Sequence, residues 1–253
     1  MGEHVAPATP AKKKRSNIFW NIVGVVGELL ITFAIVVGLF SVWQLYWTTY
    51  EVAGQVAQTI ASYEEEHQPS KRTLGEVRTD DPPAFDREVG DGEVYGLVHV
   101  PTWDWMKIPL AEGTTSYVLD QGWAGHYDMT TQPGGVGNFS VAGHRRTYGN
   151  NFRWIDRLNQ GDKVVVEVDD HYLVYSMVSS EIIDATDPTQ MRVVAPVIDD
   201  VSWSETPTER WMTMTTCHPE YGNWQRYIVH LKFESWTPKD TGVPAELVDE
   251  PTN

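Results

Sequence analysis

The sequence predicts a mainly β domain, closed or nearly closed into a barrel, preceded by one transmembrane helix. Three observations carry this reading. Between about residues 93 and 236, short apolar and β-branched runs alternate with Gly, Pro, Asn and Asp, the pattern of many short strands joined by turns. No long helix interrupts them, whereas a parallel α/β sheet needs long crossover connections, usually helical. Ahead of them stands one apolar run long enough to cross a bilayer.

In chain order, residues 1–16 are polar, with the basic run Lys12, Lys13, Lys14 and Arg15, and read as a cytoplasmic basic tail. Residues 17–48 read as a transmembrane anchor. Within them GVVGELLITFAIVVGLFSVW meets the roughly 20 apolar residues that a hydrocarbon core requires. Its one charge, Glu28, falls near the cytoplasmic side. Trp20 at one end and Trp43, Tyr46 and Trp47 at the other match interfacial aromatic belts. A cleaved signal peptide has an apolar region of roughly 7–15 residues and a small-residue cleavage site, and neither is visible. The next basic residue after the cluster is Lys71, so the positive-inside rule puts the N-terminus in the cytoplasm and the chain from about residue 50 onward outside.

Residues 49–92 read as an extracellular stalk and linker: Glu51 to Gln68 continues the helix, and Pro69 to Gly92 is charged and proline-rich, a linker or wrapping arm. Residues 93–236 form the predicted barrel domain. VYGLVHVP, MKIPL and NFSVAGH are strands, KVVVEVDDHYLVYSMVSSEII is two strands around an Asp169-Asp170 turn, and WMTMTTC pairs with QRYIVHLKFESW. SYVLDQGW and FRWIDRLNQ are short helical turns, the second followed by a stop at Gly161 and Asp162. Residues 237–253, acidic with several prolines and no period, read as a flexible tail.

The 253 residues carry a formal net charge of −16, which excludes nucleic acid as the main partner, because phosphate binding needs surplus Lys and Arg. No Cys/His cluster has zinc spacing, and no phosphate loop or dinucleotide fingerprint appears, so no metal or cofactor is expected. The chain has a single cysteine, Cys217. Outside a membrane disulfides form, yet a lone Cys has no partner within the chain. An intermolecular disulfide, a buried inert thiol and a nucleophile are the open readings.

A nucleophilic Cys works as the thiolate, needs an acid–base partner, most often His, and needs donors for the oxyanion formed on a carbonyl. His144 ends the apolar strand GNFSVAGH. Arg226 opens the strand after Cys217, and a hairpin of the two strands brings them together. His4 and His67 lie in polar flanks and read as solvated, and His99, His171 and His230 read as structural strand residues. His126 and His218 are closer rivals, although His218 points to the opposite face from its neighbour Cys217. Arg145 and Arg146 read as surface charges.

TMTTCHPEYGNWQR resembles the sortase signature, in which a TLxTC segment ends in the nucleophile and an Arg follows on the next strand. PGGVGNFSVAGHRRTYG resembles the segment that carries the catalytic His. The Cys-His-Pro and the Gly-His-Arg…Tyr-Gly run are most similar to class E sortases of high-GC Gram-positive bacteria. The resemblance covers roughly residues 93–236. It implies an eight-stranded β-barrel with short helices and a cysteine transpeptidase that cuts an LPxTG-type sorting signal, in class E often LAxTG, between Thr and Gly. Cys217 would form a thioester, His144 would protonate the leaving amine and deprotonate the incoming one, and Arg226 would hold substrate and oxyanion. The reactive pair would be a thiolate and an imidazolium. The partners implied are secreted proteins bearing a C-terminal sorting signal, a lipid-linked cell-wall precursor that supplies the amine, and the membrane. The preference for Ala in the signal goes with a Tyr near the site, for which Tyr127 and Tyr148 are candidates, and Thr216 joins them as a candidate substrate contact. Glu220 stands where the family often has a basic residue, which would raise the thiol pKa slightly or alter peptide preference.

Two other classes compete. A papain-like or amidase-type hydrolase of the cell wall usually carries its Cys at the start of a helix and before the His, the reverse of this order. A non-enzymatic anchored surface domain would keep Cys217 buried and unreactive.

Overall fold

The computed structural model describes residues 18–69 and 71–251. The basic cluster and His4 lie outside the described residues, as does the side chain of Tyr46. The chain divides into two compact units, Met1–Gln44 and Leu45–Asn253. The first contains the start of α1, Ile18–Glu66. Over Ile18–Trp43 this helix has a mean hydropathy of 2.5 and is wholly unburied, long and apolar enough to cross a membrane. A soluble helix of this kind would show a polar face; this one is apolar all round.

The second unit is a closed barrel of eight strands: β1 Val94–Val100, β2 Met106–Glu112, β3 Ala124–His126, β4 Gly137–Ala142, β5 Lys163–Glu167, β6 His171–Asp184, β7 Arg210–His218 and β8 Gln225–Pro238. Around the barrel the order is β1-β2-β3-β4-β7-β8-β6-β5, with β5 pairing back onto β1. The β2–β3 and β4–β7 pairs are parallel and the rest antiparallel. One short helix, α2 Ser116–Leu119, lies in the β2–β3 connection, and 3₁₀ turns cover Pro101–Trp103, Ile155–Arg157, Pro188–Val194 and Ala245–Leu247. The 14-residue strands β6 and β8 pair along most of their length, with register shifts at Val174/Tyr175 and Met177/Ser179. Such irregularities increase local twist and let long strands bend around a small barrel.

The strands expected from sequence are all present, and the structure adds β3, whose three residues are too few to show a period. The parallel pairs need no crossover helix because β5 and β6 and the short α2 segment supply the connections. Trp103, Tyr95, Phe139, Phe152, Leu173, Tyr175, Met212 and Met214 fill the interior.

Residues 71–92 wrap along the barrel. Gly75 N–H donates to the Val243 carbonyl at 2.8 Å, Arg78 pairs with Trp236, and Phe85 packs on the core. The flexible tail expected at 237–253 is corrected by the structure over its described part. Thr237 and Pro238 complete β8, Val243 and Leu247 are buried against Val165, Tyr172 and Val174, and Glu250 is buried among cations. Composition misleads here because the acidic residue that looks solvated finds counter-charges. Glu250 contacts His99 at 2.8 Å, Lys107 at 3.1 Å and Arg72 at 3.3 Å. Its neighbour in the cluster, Glu167, holds the other nitrogen of His99 at 2.8 Å and Lys239 at 2.7 Å. Burial disfavours the charged imidazole, but the hydrogen bonds it donates to Glu167 and Glu250 outweigh it and push His99 up to about 9. Burial likewise opposes both carboxylates, and the His99 bond and nearby lysines still hold them below the usual range.

Removing one partner of a buried ion pair costs about 3–5 kcal/mol. Glu250→Ala is therefore expected to lower the unfolding midpoint by several degrees in thermal or denaturant melts. The pH dependence follows by linkage. The stabilisation from His99 is complete below its unfolded value of 6.5 and fades as pH rises through about 9. That from the carboxylates is present above 4.5 and fades as pH falls through their lowered values. Stability measured against pH should fall between 6.5 and 9 in the native chain, and the fall should be smaller in the Glu250→Ala variant.

Candidate active site

Strand parity builds the site. Met212 and Met214 face the barrel core, so the two-residue period turns Thr213, Thr215 and Cys217 to the other face. Thr213 Oγ1 donates to Asn138 Oδ1 at 2.8 Å and lies 2.9 Å from His230 Nδ1, while Thr215 Oγ1 lies 2.9 Å from the Tyr127 hydroxyl. On β8, Cys217 is paired directly with Arg226. Ile228, two residues on, joins Ile183, Val193 and Val194 in an apolar cluster that Tyr127 and Trp203 flank. The Pro188–Val194 segment thus packs on the outer face of β8, and the thiol, on the same face of the β7–β8 hairpin, is half-buried.

His144 arrives from the adjacent strand. Because β4 runs parallel to β7 with Ala142 opposite Thr215, the chain leaves β4 at the level of the thiol. Gly143 is locked there: its N–H donates to the Thr215 carbonyl at 3.1 Å, and its carbonyl accepts from Thr216 Oγ1 at 2.6 Å. Thr216 is buried, and its hydroxyl serves this tie between strands. His144 Nε2 lies 2.8 Å from Asp120 Oδ1, and the Tyr148 ring packs against the imidazole with centroids 5.2 Å apart. Tyr148 holds a φ of 49°, and Gly149 follows at 94°, a turn that folds the aromatic ring back over His144.

Arg226 Nη1 donates to the carbonyls of Asn223 at 2.7 Å and Gln225 at 2.9 Å. No carboxylate pairs with it among the described residues. Tyr127 lies within electrostatic reach of both Arg226 and Cys217. Burial raises its phenol, while the Thr215 bond and the Arg226 charge act the other way. Of the two tyrosines expected near the site, Tyr127 therefore stands on the thiol side and Tyr148 on the imidazole side.

The rival histidines have structural partners. His126 is fully buried, with Nδ1 2.9 Å from Glu112 and Nε2 3.0 Å from both Thr131 O and Thr130 Oγ1. His218 lies across the strand from Cys217, and its Nδ1 accepts from Arg145 Nη1 at 2.8 Å. Burial and that cation both push its pKa down. Arg145 is buried rather than a surface charge, because it bridges His218 to Asp156 at 2.7 Å. His67, expected to be solvated, stacks on Tyr63 with centroids 4.3 Å apart. Arg146 pairs with Glu220 at 3.1 Å and packs over Tyr221. The carboxylate expected to disturb the thiol is thereby answered by a neighbouring cation. Asp120 escaped the sequence reading, since it stands 24 residues before His144 and only the fold joins them.

The arrangement holds a thiol, an imidazole and a guanidinium at the ends of three neighbouring strands, beside an apolar cluster. Comparison with known proteins agrees with it. A sequence profile described as the sortase domain matches residues 98–234. The chain is 36% identical over 229 residues to sortase SrtE1 of Streptomyces coelicolor, a match that takes in 88% of this chain and 60% of that protein's length. Among solved structures, the SrtA sortase from Actinomyces oris superposes with a TM-score of 0.64 at 43% identity, covering 70% of this chain and all of that one. Sortase E1 from Streptomyces coelicolor, solved with a tripeptide in the active site, gives a TM-score of 0.55 at 38% identity over 63% of this chain and 99% of that one. With the profile spanning more than half its length and a named sortase 36% identical over 88% of it, this chain belongs to the sortase family.

Proposed function

We propose that this protein is a membrane-anchored cysteine transpeptidase. It takes a C-terminal sorting signal of LAxTG or LPxTG type on a secreted protein, cuts between Thr and Gly, and transfers the protein to an amine of a lipid-linked cell-wall precursor. The observation that carries the reading is the Cys217–Arg226 cross-strand pair, with His144 delivered beside it by β4. The relative solved with a tripeptide in its active site supports a peptide ligand.

In this mechanism the Cys217 thiolate attacks the Thr carbonyl carbon, and the oxyanion is met by the Arg226 guanidinium, whose planar donors suit it. The carbon–nitrogen bond to Gly breaks as protonated His144 gives its proton to the leaving amine. The thioester remains on Cys217 until an acceptor amine attacks, His144 takes that amine's proton, and the thiolate is regenerated. The apolar helix Ile18–Trp43 anchors the enzyme with its N-terminus in the cytoplasm and the barrel outside, where both secreted substrate and lipid-linked acceptor are found.

The full chain in detergent, given an LAxTG peptide and an amine, is expected to form the transpeptidation product, with a thioester on Cys217 trapped by mass spectrometry when the amine is withheld. Cys217→Ala should abolish both, and equal turnover by wild type and variant would sink the assignment. Arg226→Lys keeps the charge but loses the forked donors and should cost about 10²-fold in kcat/KM, the scale of one lost oxyanion donor. Tyr127→Phe removes the hydroxyl bonded to Thr215. Its expected effect is a smaller ratio of LAxTG to LPxTG turnover in a competition assay, while Tyr148→Phe leaves that ratio unchanged.

A further inference from the structure

Beyond the three residues proposed to perform the reaction, the geometry points to Asp120 as the positioning residue of the site: its carboxylate fixes the orientation and tautomer of His144. This inference rests on the transpeptidase reading. We infer it from how Asp120 is held as much as from its 2.8 Å contact with His144 Nε2.

Asp120 caps α2, its backbone N–H donating to the Ser116 carbonyl at 3.0 Å. The loop after it is anchored on two sides. Gly122, at φ 77°, has no room for a side chain. A Cβ there would lie 2.8 Å from Val52 and 2.9 Å from Val56 of α1, and 3.0 Å from the Tyr148 carbonyl. Asn151 Nδ2 donates to the Trp123 carbonyl at 2.8 Å, which ties this loop to the loop that carries His144. The carboxylate is therefore presented by packed backbone on the same block as the imidazole. Tyr148 covers the ring face, so the imidazole is held both at one edge and over its plane.

The chemical consequence follows from the two ring nitrogens. With Nε2–H donating to Asp120, Nδ1 is the nitrogen left to exchange protons with the thiol and with the substrate amines. The other charges near His144 are engaged elsewhere. Arg145 is held by Asp156 and His218, Arg146 by Glu220, and Arg226 by backbone carbonyls. Asp120 is the carboxylate within hydrogen-bond distance of the ring among the described residues.

The test compares the full-length chain with its Asp120→Asn and Asp120→Glu variants in detergent, by two readouts. The first separates kcat from KM. Asparagine keeps the size and loses the carboxylate, so kcat should fall about tenfold or more with KM little changed. Glutamate should restore part of kcat. The second readout is the ring ¹⁵N spectrum of His144 at one fixed pH, which needs no substrate and reports which nitrogen carries the proton. The Nε2–H tautomer should dominate in wild type and in Asp120→Glu and give way to a mixture in Asp120→Asn. If the asparagine variant keeps both the kcat and the tautomer of wild type, the contact is an ordinary half-exposed ion pair and the inference is wrong. A changed tautomer with unchanged turnover also overturns it. If wild type turns over no sorting peptide at all, the transpeptidase reading fails instead, and the spectrum still reports whether Asp120 holds the ring.

Discussion

Met212 and Met214 fill the barrel interior, and that obligation sends Thr213, Thr215 and Cys217 to the opposite face. A one-residue slip of β7 would exchange the two buried methionines for threonines, losing about 1.5–3 kcal/mol per side chain. It would also turn the thiol into the core. The register of β7 against its neighbours is pinned by the same residues that face away from the core, because Thr213 meets Asn138 of β4 and His230 of β8 while Thr215 meets Tyr127 just after β3. Core packing and site geometry are thus one constraint. The Cys217–Arg226 pair is its last rung but one, with only His218–Gln225 beyond it before the strands part.

The level of His144 depends on that constraint too. A parallel neighbour leaves the barrel at the same end as β7, so the strand that brings the imidazole need only match β7 in length. Ala142 opposite Thr215 and the two bonds of Gly143 secure that match. An antiparallel β4 would carry its C-terminal residue to the far end of the barrel, some 20 Å away for a six-residue strand at about 3.3 Å per residue. The parallel pairing, which no local pattern announced, is what makes a His and a Cys 73 positions apart in sequence into neighbours.

Much of this was legible in the sequence and some of it was not, for identifiable reasons. Strands such as KVVVE and RWMTMTTCH announce themselves by β-branched and apolar runs between turn residues. The hairpin partner of Cys217 could be read from chain order alone. What escaped depended on pairings distant in sequence. β3 is too short to show a period, Asp120 meets His144 only through the fold, and Arg145 looked solvated until Asp156 and His218 surrounded it. The C-terminal stretch misled most. Its charges read as a soluble tail, yet Glu250 closes an ion cluster with His99 from β1 and Lys107 from β2, and Val243 and Leu247 cover the outer face of β5 and β6.

The distribution of charge separates the two ends of this argument. In a chain of net charge −16, cations at the site end are scarce, and their partners decide what each can do. Arg145 bridges Asp156 and His218, and Arg146 meets Glu220, so both act as fasteners for the loops around the site. Among the described residues Arg226 is held by carbonyl oxygens, which orient a guanidinium without cancelling its charge. In the transpeptidase reading proposed above, a cation oriented in this way, opposite a thiol, is available to an oxygen that becomes negative during reaction. A carboxylate partner would cancel that charge. By the same logic the carboxylate found at the site, Asp120, stands against the imidazole and leaves the guanidinium uncompensated among the described residues.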